Sequence, residues 1–468
     1  MKDKFPIPAE FLQRMSFFLG DEFPLFYTSL REEPVNGLRV NTLKLSVDEF
    51  KKISPFPLGE PVGWSKVGFH LPPMEASPGN HPYHRAGLFY LQDPSAMAPA
   101  ELLNPQPNEW ILDLAAAPGG KTTHLASLMK GQGLLIANEI KDKRVGHLAM
   151  NVERWGAGNI VVTNETPERL ADHFGPCFDS VLVDAPCSGE GMFRKDEQAR
   201  KDWSMEMVKG CSIRQNKILR VASKLVRPGG KLVYSTCTFS PEEDEEVIAQ
   251  FLSEVPGFEV EKLPLSPGFL PGNSDWMGNK EKWGEKMGQV RGAVRLFPHR
   301  LIGEGHFVCV LKRGEGTSTQ HKLRSDYQIR NISNAQIDQW EYFSKSNLTK
   351  DFPHEYFHIH KERLYLLPEE IPDLGSLRVI HPGVWMGTFK KDRFEPAHPL
   401  ALYLKEEMAA NTINLKLEDS EISAYLRGEI IPSKGPKGWV LVAVNGWPLG
   451  WGKRVEGILK NHYPRGWM

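Results

Sequence analysis

The sequence contains no apolar run long enough to cross a bilayer. Its longest, such as residues 438–444, fall far short of the roughly 20 residues a membrane helix needs. The opening MKDKFPIPAE lacks the apolar core of a signal peptide. These absences lead us to expect a cytoplasmic chain with no membrane partner. Cysteine is scarce. The five present are scattered and odd in number, which excludes a disulfide framework, and no Cys/His spacing resembles a zinc site. We therefore expect no metal, and any special cysteine is expected to be catalytic. Neither charge sign is in excess, with 57 Lys and Arg against 58 Asp and Glu, so contact with nucleic acid has to rest on local patches. No internal repeat is visible.

What is present reads as globular: 40% hydrophobic and 25% charged residues, with 468 residues, more than one core usually supports. The clearest order runs from about 109 to 313, where short apolar runs alternate with helical patterns, the signature of βα units feeding a parallel sheet. Strands are expected at 110–114, 134–138, 160–163, 178–183 and 231–235. Helices are expected from 121, over 141–155 and over 207–226, with a Pro-Gly-Gly turn leading into the last strand. Ser240-Pro241-Glu242-Glu243 reads as a helix start, Ser at the N-cap and Glu at the third position. Residues 263–294, rich in Gly, Trp and Lys, read as a long loop, and a strand pair near 293–297 and 306–311 closes the domain. A polar stretch, 313–320, reads as a linker. The expected fold class is α/β, a doubly wound Rossmann-like sheet, with a small α+β domain before it and a β-rich region after it.

Ile111-Leu112-Asp113-Leu114-Ala115-Ala116-Ala117-Pro118-Gly119-Gly120-Lys121-Thr122 is a strand, a loop without bulky side chains and a helix start. Such a loop lets a ligand approach the backbone at the carboxyl edge of a sheet. Glu139, at the end of the next strand, is placed to accept both ribose hydroxyls of an adenosine-type ligand. Together these features point to a nucleoside cofactor. A rival reading exists, because Ala115-x4-Gly120-Lys121-Thr122 is a loose P-loop and Val181-Leu182-Val183-Asp184 would be its second nucleoside-triphosphatase motif. A phosphate cradle needs consecutive N–H donors, however, and Pro118 removes one. Asp184 is followed by Ala-Pro-Cys rather than a second carboxylate, and Glu139 would have no role.

Asp184-Ala185-Pro186-Cys187-Ser188-Gly189 and Tyr234-Ser235-Thr236-Cys237-Thr238 each follow an apolar strand directly. On neighbouring strands their thiols share one crevice. Cys177, Cys211 and Cys309 read as small buried hydrophobes. Cys237 also precedes the expected helix start, whose partial positive charge favours a thiolate, opposed by the acidic run 242–246. On the residues alone, either cysteine of the pair remains a candidate nucleophile.

With these motifs the chain resembles the RNA 5-methylcytosine methyltransferases of the Sun and nucleolar-protein type, and within them the bacterial RsmF type that acts on small-subunit ribosomal RNA. The resemblance covers nearly the whole chain: RVNT at 39–42, YLQD at 90–93, AAAPGGKTT, ANE, DAPCSGEGMFRKD, STCTFSPEEDEEV and RLFPHRLIGEGHF. It implies S-adenosylmethionine as cofactor, held by Ala115, Ala116, Ala117, Pro118, Gly119, Gly120, Lys121, Glu139 and Asp184. It implies that Cys237 is the nucleophile, that Cys187 assists release of the methylated RNA, and that Lys121 and Asp184 lie near the target base. DNA cytosine enzymes use the cysteine of the Pro-Cys motif instead. The chemistry explains the need for a thiol. Carbon 5 of cytosine is a poor nucleophile until a thiolate adds to carbon 6, and a carboxyl group such as Asp184 stabilises the charge that develops. The chain departs from the family where an aspartate usually faces the adenine: counting places Thr166 there, with Asn164 or Glu165 as substitutes. The implied partner is 16S ribosomal RNA or the small subunit. The expected division is 1–100 RNA-binding, 101–314 catalytic, 325–374 connecting and 375–468 a PUA-like RNA-binding domain. From 434 to 468 six Lys or Arg stand against one Glu, interleaved with Trp439, Trp447, Trp451, Tyr463 and Trp467, a mixture suited to phosphate contact and base stacking. A small β core that happens to hold tryptophans is the alternative. Arg39 reads equally as an RNA contact or a plain surface charge. A chain that only binds ribosomal RNA is a further alternative, opposed by the cysteine pair and the intact loop.

Overall fold

A computed structural model describes residues 6–75, 77–278, 280–316 and 332–467. The expected linker is described only to 316, and the start of the expected connecting unit, at 325, lies outside the described residues.

The centre is a ten-stranded mixed sheet. Its main path runs Phe269–Pro271, Val294–Leu296, His306–Arg313, Val226–Thr236, Phe178–Asp184, Trp110–Asp113, Leu134–Asn138, Ile160–Thr163 and Val379–His381, with Phe258–Val260 pairing on His306–Arg313. Five of these strands are parallel, because each returns through a helix. Burial on both faces follows from alternation along each strand. Leu112, Ile136, Val181, Val183 and Tyr234 face a core shared with helices Pro167–Phe174, Met205–Ala222 and Glu245–Glu254. Ile111, Leu135, Leu182 and Val233 face the opposite core, under helices Gly120–Leu128 and Asp142–Trp155. The chain reverses its direction of travel across the sheet between Trp110–Asp113 and Phe178–Asp184. That is the switch point, where strand carboxyl ends open a crevice.

Three local expectations are corrected. The helix expected at Ser240 begins at Glu245. Ser240 Oγ instead donates to Glu242 (2.6 Å), which Arg14 holds (2.7 Å), while the Glu243 carboxyl turns inward to the Ser188 N–H (2.9 Å). The helix dipole is therefore removed from Cys237. Pro228-Gly229-Gly230 does not precede its strand but lies within Val226–Thr236, where the pairing register shifts opposite Phe178 and Ser180. The stretch 263–294 is not one loop. It carries the edge strand Phe269–Pro271 and helices Lys280–Trp283 and Lys286–Val290, because Met277, Trp283 and Val290 have apolar surface to bury against the sheet's first core.

Before the central sheet stands a three-stranded antiparallel sheet, Gly68–Leu71, Asn36–Val40 and Phe89–Leu91. After it come a four-stranded sheet (Phe357–His360, Arg363–Leu366, Val384–Phe389, Phe394–Pro396) and a five-stranded one (Thr412–Leu415, Gly438–Val444, Trp447–Val455, Ile458–Asn461, Ile431–Pro432). The four-stranded sheet runs across position 374/375, so a boundary placed there divides a hydrogen-bonded unit. First and last units share one core: Leu38, Val40 and Phe89 pack in a cluster with Val440, Val442 and Leu449. Among the described residues no helix is long and apolar enough to cross a membrane.

Candidate active site

The residues expected to act together converge at the switch point. Asp184 ends its strand in register with Ser235 of the neighbouring one, and Cys187 and Cys237 follow these two strands. Their sulfur atoms are 3.2 Å apart, and the Cys237 N–H points at Cys187 Sγ (3.4 Å). On the other side of the switch point, Lys121 opens the helix after the small-residue loop and donates to Asp184 Oδ2 (2.6 Å), while Ser235 Oγ donates to Oδ1 (2.8 Å). Burial pushes Asp184 toward protonation, but Lys121, His306 and Ser235 together hold the carboxyl below its ordinary range. Burial likewise works against the Lys121 charge, and Asp184 foremost, with Cys237 and Asp113, more than restores it. The ion pair is therefore charged inside the site. The Cys187 thiol is raised well above its ordinary range, by its contact with Cys237 first and by burial second.

The loop itself is built for close approach. Ala116 and Ala117 are buried, and Gly119 caps the helix with a φ of +112°, a conformation that favours glycine. Ala116 N–H donates to Asn138 O (2.8 Å), tying the loop to the end of the next strand. There Glu139 is almost wholly buried. One of its oxygens accepts the Lys141 N–H (2.8 Å); the other accepts no hydrogen bond, with the Arg144 guanidinium at 3.4 Å. A buried carboxylate oxygen short of a donor, beside a loop of small residues, fits the ribose of a nucleoside cofactor. The groups a triphosphatase would turn to phosphate and metal are engaged elsewhere: Thr122 Oγ1 donates to Asp113 (2.7 Å), and Lys121 serves Asp184. Thr166 caps the helix Pro167–Phe174, and Glu165 accepts the Arg378 N–H (2.6 Å).

Several functional neighbours escaped the sequence reading. Glu243 ties together the two loops that carry the thiols, since it accepts from Ser188 N–H on one and, at 3.3 Å, from Thr238 Oγ1 on the other, with Gln215 Nε2 at 2.9 Å. Glu190 adds to the same frame through the Phe239 N–H (3.0 Å). Arg39 is no surface charge but fully buried. It donates to Gly120 O (2.9 Å) and Thr123 Oγ1 (2.7 Å) and lies over the Trp155 ring at 4.7 Å, so the first unit braces the helix that follows the small-residue loop. His306 stands beside the ion pair, its Nδ1 3.1 Å from Ser95 Oγ. The signal for these groups was present, since all lie in or next to the quoted motifs, but no spacing rule gives a buried polar network its partners. The expectation that the C-terminal aromatics stack on bases is corrected for four of the five. Trp439, Trp451, Tyr463 and Trp467 are buried in the cores of the last two sheets.

Comparison with known proteins agrees along the chain. The family described as 16S rRNA methyltransferase RsmB/F matches residues 100–312. The N-terminal domain of 16S rRNA methyltransferase RsmF matches 7–94, the RsmF first C-terminal domain 342–404 and the RsmF PUA domain 412–468. The ribosomal RNA small subunit methyltransferase F of Shewanella oneidensis is 33% identical over 92% of this chain and 90% of its own length. That of Erwinia tasmaniensis is 33% identical over 98% and 96%. Among solved structures, a methyltransferase homolog from Pyrococcus horikoshii superposes with a TM-score of 0.55 at 30% identity, covering 66% of this chain and all of that one. With this likeness spanning all four structural units and the site at their centre, the chain belongs to the RsmB/F family of 16S ribosomal RNA methyltransferases.

Proposed function

We propose that this chain methylates carbon 5 of a cytosine in 16S ribosomal RNA, with S-adenosylmethionine as methyl donor and Cys237 as nucleophile. The observation that carries the reading is the pair of sulfur atoms 3.2 Å apart beside the Lys121–Asp184 ion pair. Two thiols at that separation do not both ionise. Contact with Cys237 and burial raise the Cys187 thiol, and the role of nucleophile goes to Cys237 by the resemblance of Thr236-Cys237 to the family's Thr-Cys motif. When bound, the cofactor supplies an electrophilic methyl group. Glu139 orients its ribose, and the backbone from Ala115 to Gly120, together with Lys121 and Asp184, lines its seat. The target base leaves its stack to enter the crevice. The Cys237 sulfur adds to carbon 6, which makes carbon 5 enamine-like and able to take the methyl group. Asp184, a carboxylate, turns to accept from the exocyclic amine and so orients the base, while the Lys121 ammonium beside it offsets the negative charge that addition places on the ring. Water in the crevice takes the carbon-5 proton, the freed electron pair re-forms the carbon 5–carbon 6 double bond and expels the Cys237 sulfur as thiolate, and Cys187 assists that release.

The division we favour places an N-terminal unit to about 100, the catalytic domain to about 314, a connecting unit that takes in the four-stranded sheet, and the PUA-like unit after it. Exposed Lys434, Lys437, Lys460 and Arg465 of the last unit supply phosphate contacts. Bisulfite sequencing of 16S ribosomal RNA from a strain lacking the gene tests the assignment. The reading predicts that at least one 5-methylcytosine disappears; an unchanged set of marks contradicts it.

A further inference from the structure

His306 opens the strand His306–Arg313, antiparallel to Val226–Thr236, and the pairing of Phe307 with Thr236 brings His306 level with Cys237. Backbone bonds stitch the two together: Gly191 N–H donates to Cys237 O (2.8 Å) and Gly305 N–H to Gly191 O (3.3 Å). The imidazole is 4% exposed. Its hydrogen-bond chain fixes its tautomer. Asp93 accepts from Lys195 (2.8 Å), and burial notwithstanding, Lys195 holds Asp93 below its ordinary range, so it is a carboxylate and an acceptor. Ser95 Oγ, 2.5 Å from Asp93 Oδ1, must spend its single proton there. It can then only accept from His306 Nδ1, which places the imidazole proton on Nδ1 and leaves Nε2 with a bare lone pair. Burial first and the Lys121 charge second lower His306 to about 4, so the ring is neutral.

That lone pair is buried and has no hydrogen-bond partner. The ring stands within electrostatic reach of both Lys121 and Asp184. Lys121 carries three N–H donors, one of them given to Asp184 Oδ2. Once Asp184 turns to a base, the buried ammonium needs another acceptor, because an uncompensated buried cation is costly. We propose that His306 is a positioning residue for the reaction: its Nε2 receives the Lys121 ammonium when Asp184 turns to the target base, and so keeps that cation fixed beside Cys237. A neutral acceptor serves here where a second carboxylate would cancel the charge. The inference rests on the role given to Asp184 above.

Two measurements test it separately. In the first, transfer of labelled methyl from S-adenosylmethionine to small-subunit ribosomal RNA is followed for wild type, His306→Leu and His306→Gln, with thermal unfolding of each. The expected result is a kcat at least roughly tenfold lower for the Leu variant, an unchanged KM for S-adenosylmethionine, and recovery of most of the rate by Gln, whose amide oxygen accepts. A Leu variant at the wild-type rate, or a Gln variant as slow as Leu, overturns the proposal. The second measurement is independent of turnover: nitrogen-15 NMR of the histidines in wild type and Asp184→Asn. The proposal predicts that removing the carboxylate hands Lys121 to His306 and shifts the Nε2 resonance toward its hydrogen-bonded position. An unmoved resonance overturns it. An Asp184→Asn protein that still methylates at full rate contradicts the role of Asp184 instead, and the nitrogen shift still reports on the Lys121–His306 contact.

Discussion

At the scale of single residues, two groups of the site, Glu139 and His306, each hold one atom short of a hydrogen-bond partner. Glu139 has one oxygen satisfied by Lys141 and one accepting nothing. Burying that oxygen without a donor costs stability unless a ligand returns it. Glu139→Ala is therefore expected to weaken binding of S-adenosylhomocysteine about 10- to 100-fold, the loss of one or two hydrogen bonds to a charged group, while thermal stability without ligand holds or rises. Titration calorimetry checks both arms; an unchanged affinity would remove Glu139 from the cofactor seat. The loop and Glu139 were legible because a strand, a run of small residues and an acid one strand later form a pattern fixed by backbone geometry. Arg39 was not. Its burial depends on Gln92, Gly120 and Thr123 meeting around it from distant parts of the chain, and no local pattern contains that meeting.

Among the elements, one carboxyl group, Glu243, bonds to both thiol-bearing loops. Burial, with Glu190 nearby, raises Glu243 to about 7. Folded protein thus holds this proton more tightly than unfolded chain. The contribution to stability is complete below the ordinary glutamate value and is lost as pH rises through about 7. Against Glu243→Gln, which does not titrate, wild type should lose ground steadily between about pH 5 and about pH 8 in melting experiments. A difference independent of pH, or one that grows in favour of wild type, contradicts this account. The same carboxyl explains the misplaced helix start. Ser240 and Glu243 have the residue types of a capping box, but Glu243 finds better partners in Ser188 and Gln215, so the helix waits until Glu245. Strands were easier to place, because their alternation reports burial directly, as in Leu134–Asn138 and Ile160–Thr163.

Taken whole, the molecule closes on itself. Arg85 donates to Trp467 O (2.9 Å) and Asn445 to Tyr83 Oη (2.9 Å), so the N-terminal unit rests on the C-terminal one. Val379–His381 extends the catalytic sheet beside Ile160–Thr163. The accessory units therefore build the walls of the catalytic domain as well as extending its surface. This is why the tryptophans misled: an interleaved basic and aromatic tail has the composition of an RNA surface, yet the three-dimensional sharing of cores that buries its rings is invisible in one segment. Trp451→Ala is expected to cost about 3–5 kcal/mol in chemical denaturation, the usual price of a large cavity. Lys434→Glu combined with Lys437→Glu should leave stability in place and weaken ribosomal RNA binding, most visibly at low salt. If instead Trp451→Ala keeps full stability and loses RNA, the burial argument fails.

The central claim is that the sulfur at position 237 bonds to the substrate. Its most direct measurement uses Cys187→Ala, which removes the thiol proposed to assist release, incubated with small-subunit ribosomal RNA and S-adenosylmethionine, resolved on a denaturing gel and mapped by peptide mass spectrometry. The account predicts a stable protein–RNA band whose cross-linked peptide carries the nucleotide on Cys237. No band while methylation proceeds, or a nucleotide attached to any other residue, would contradict it.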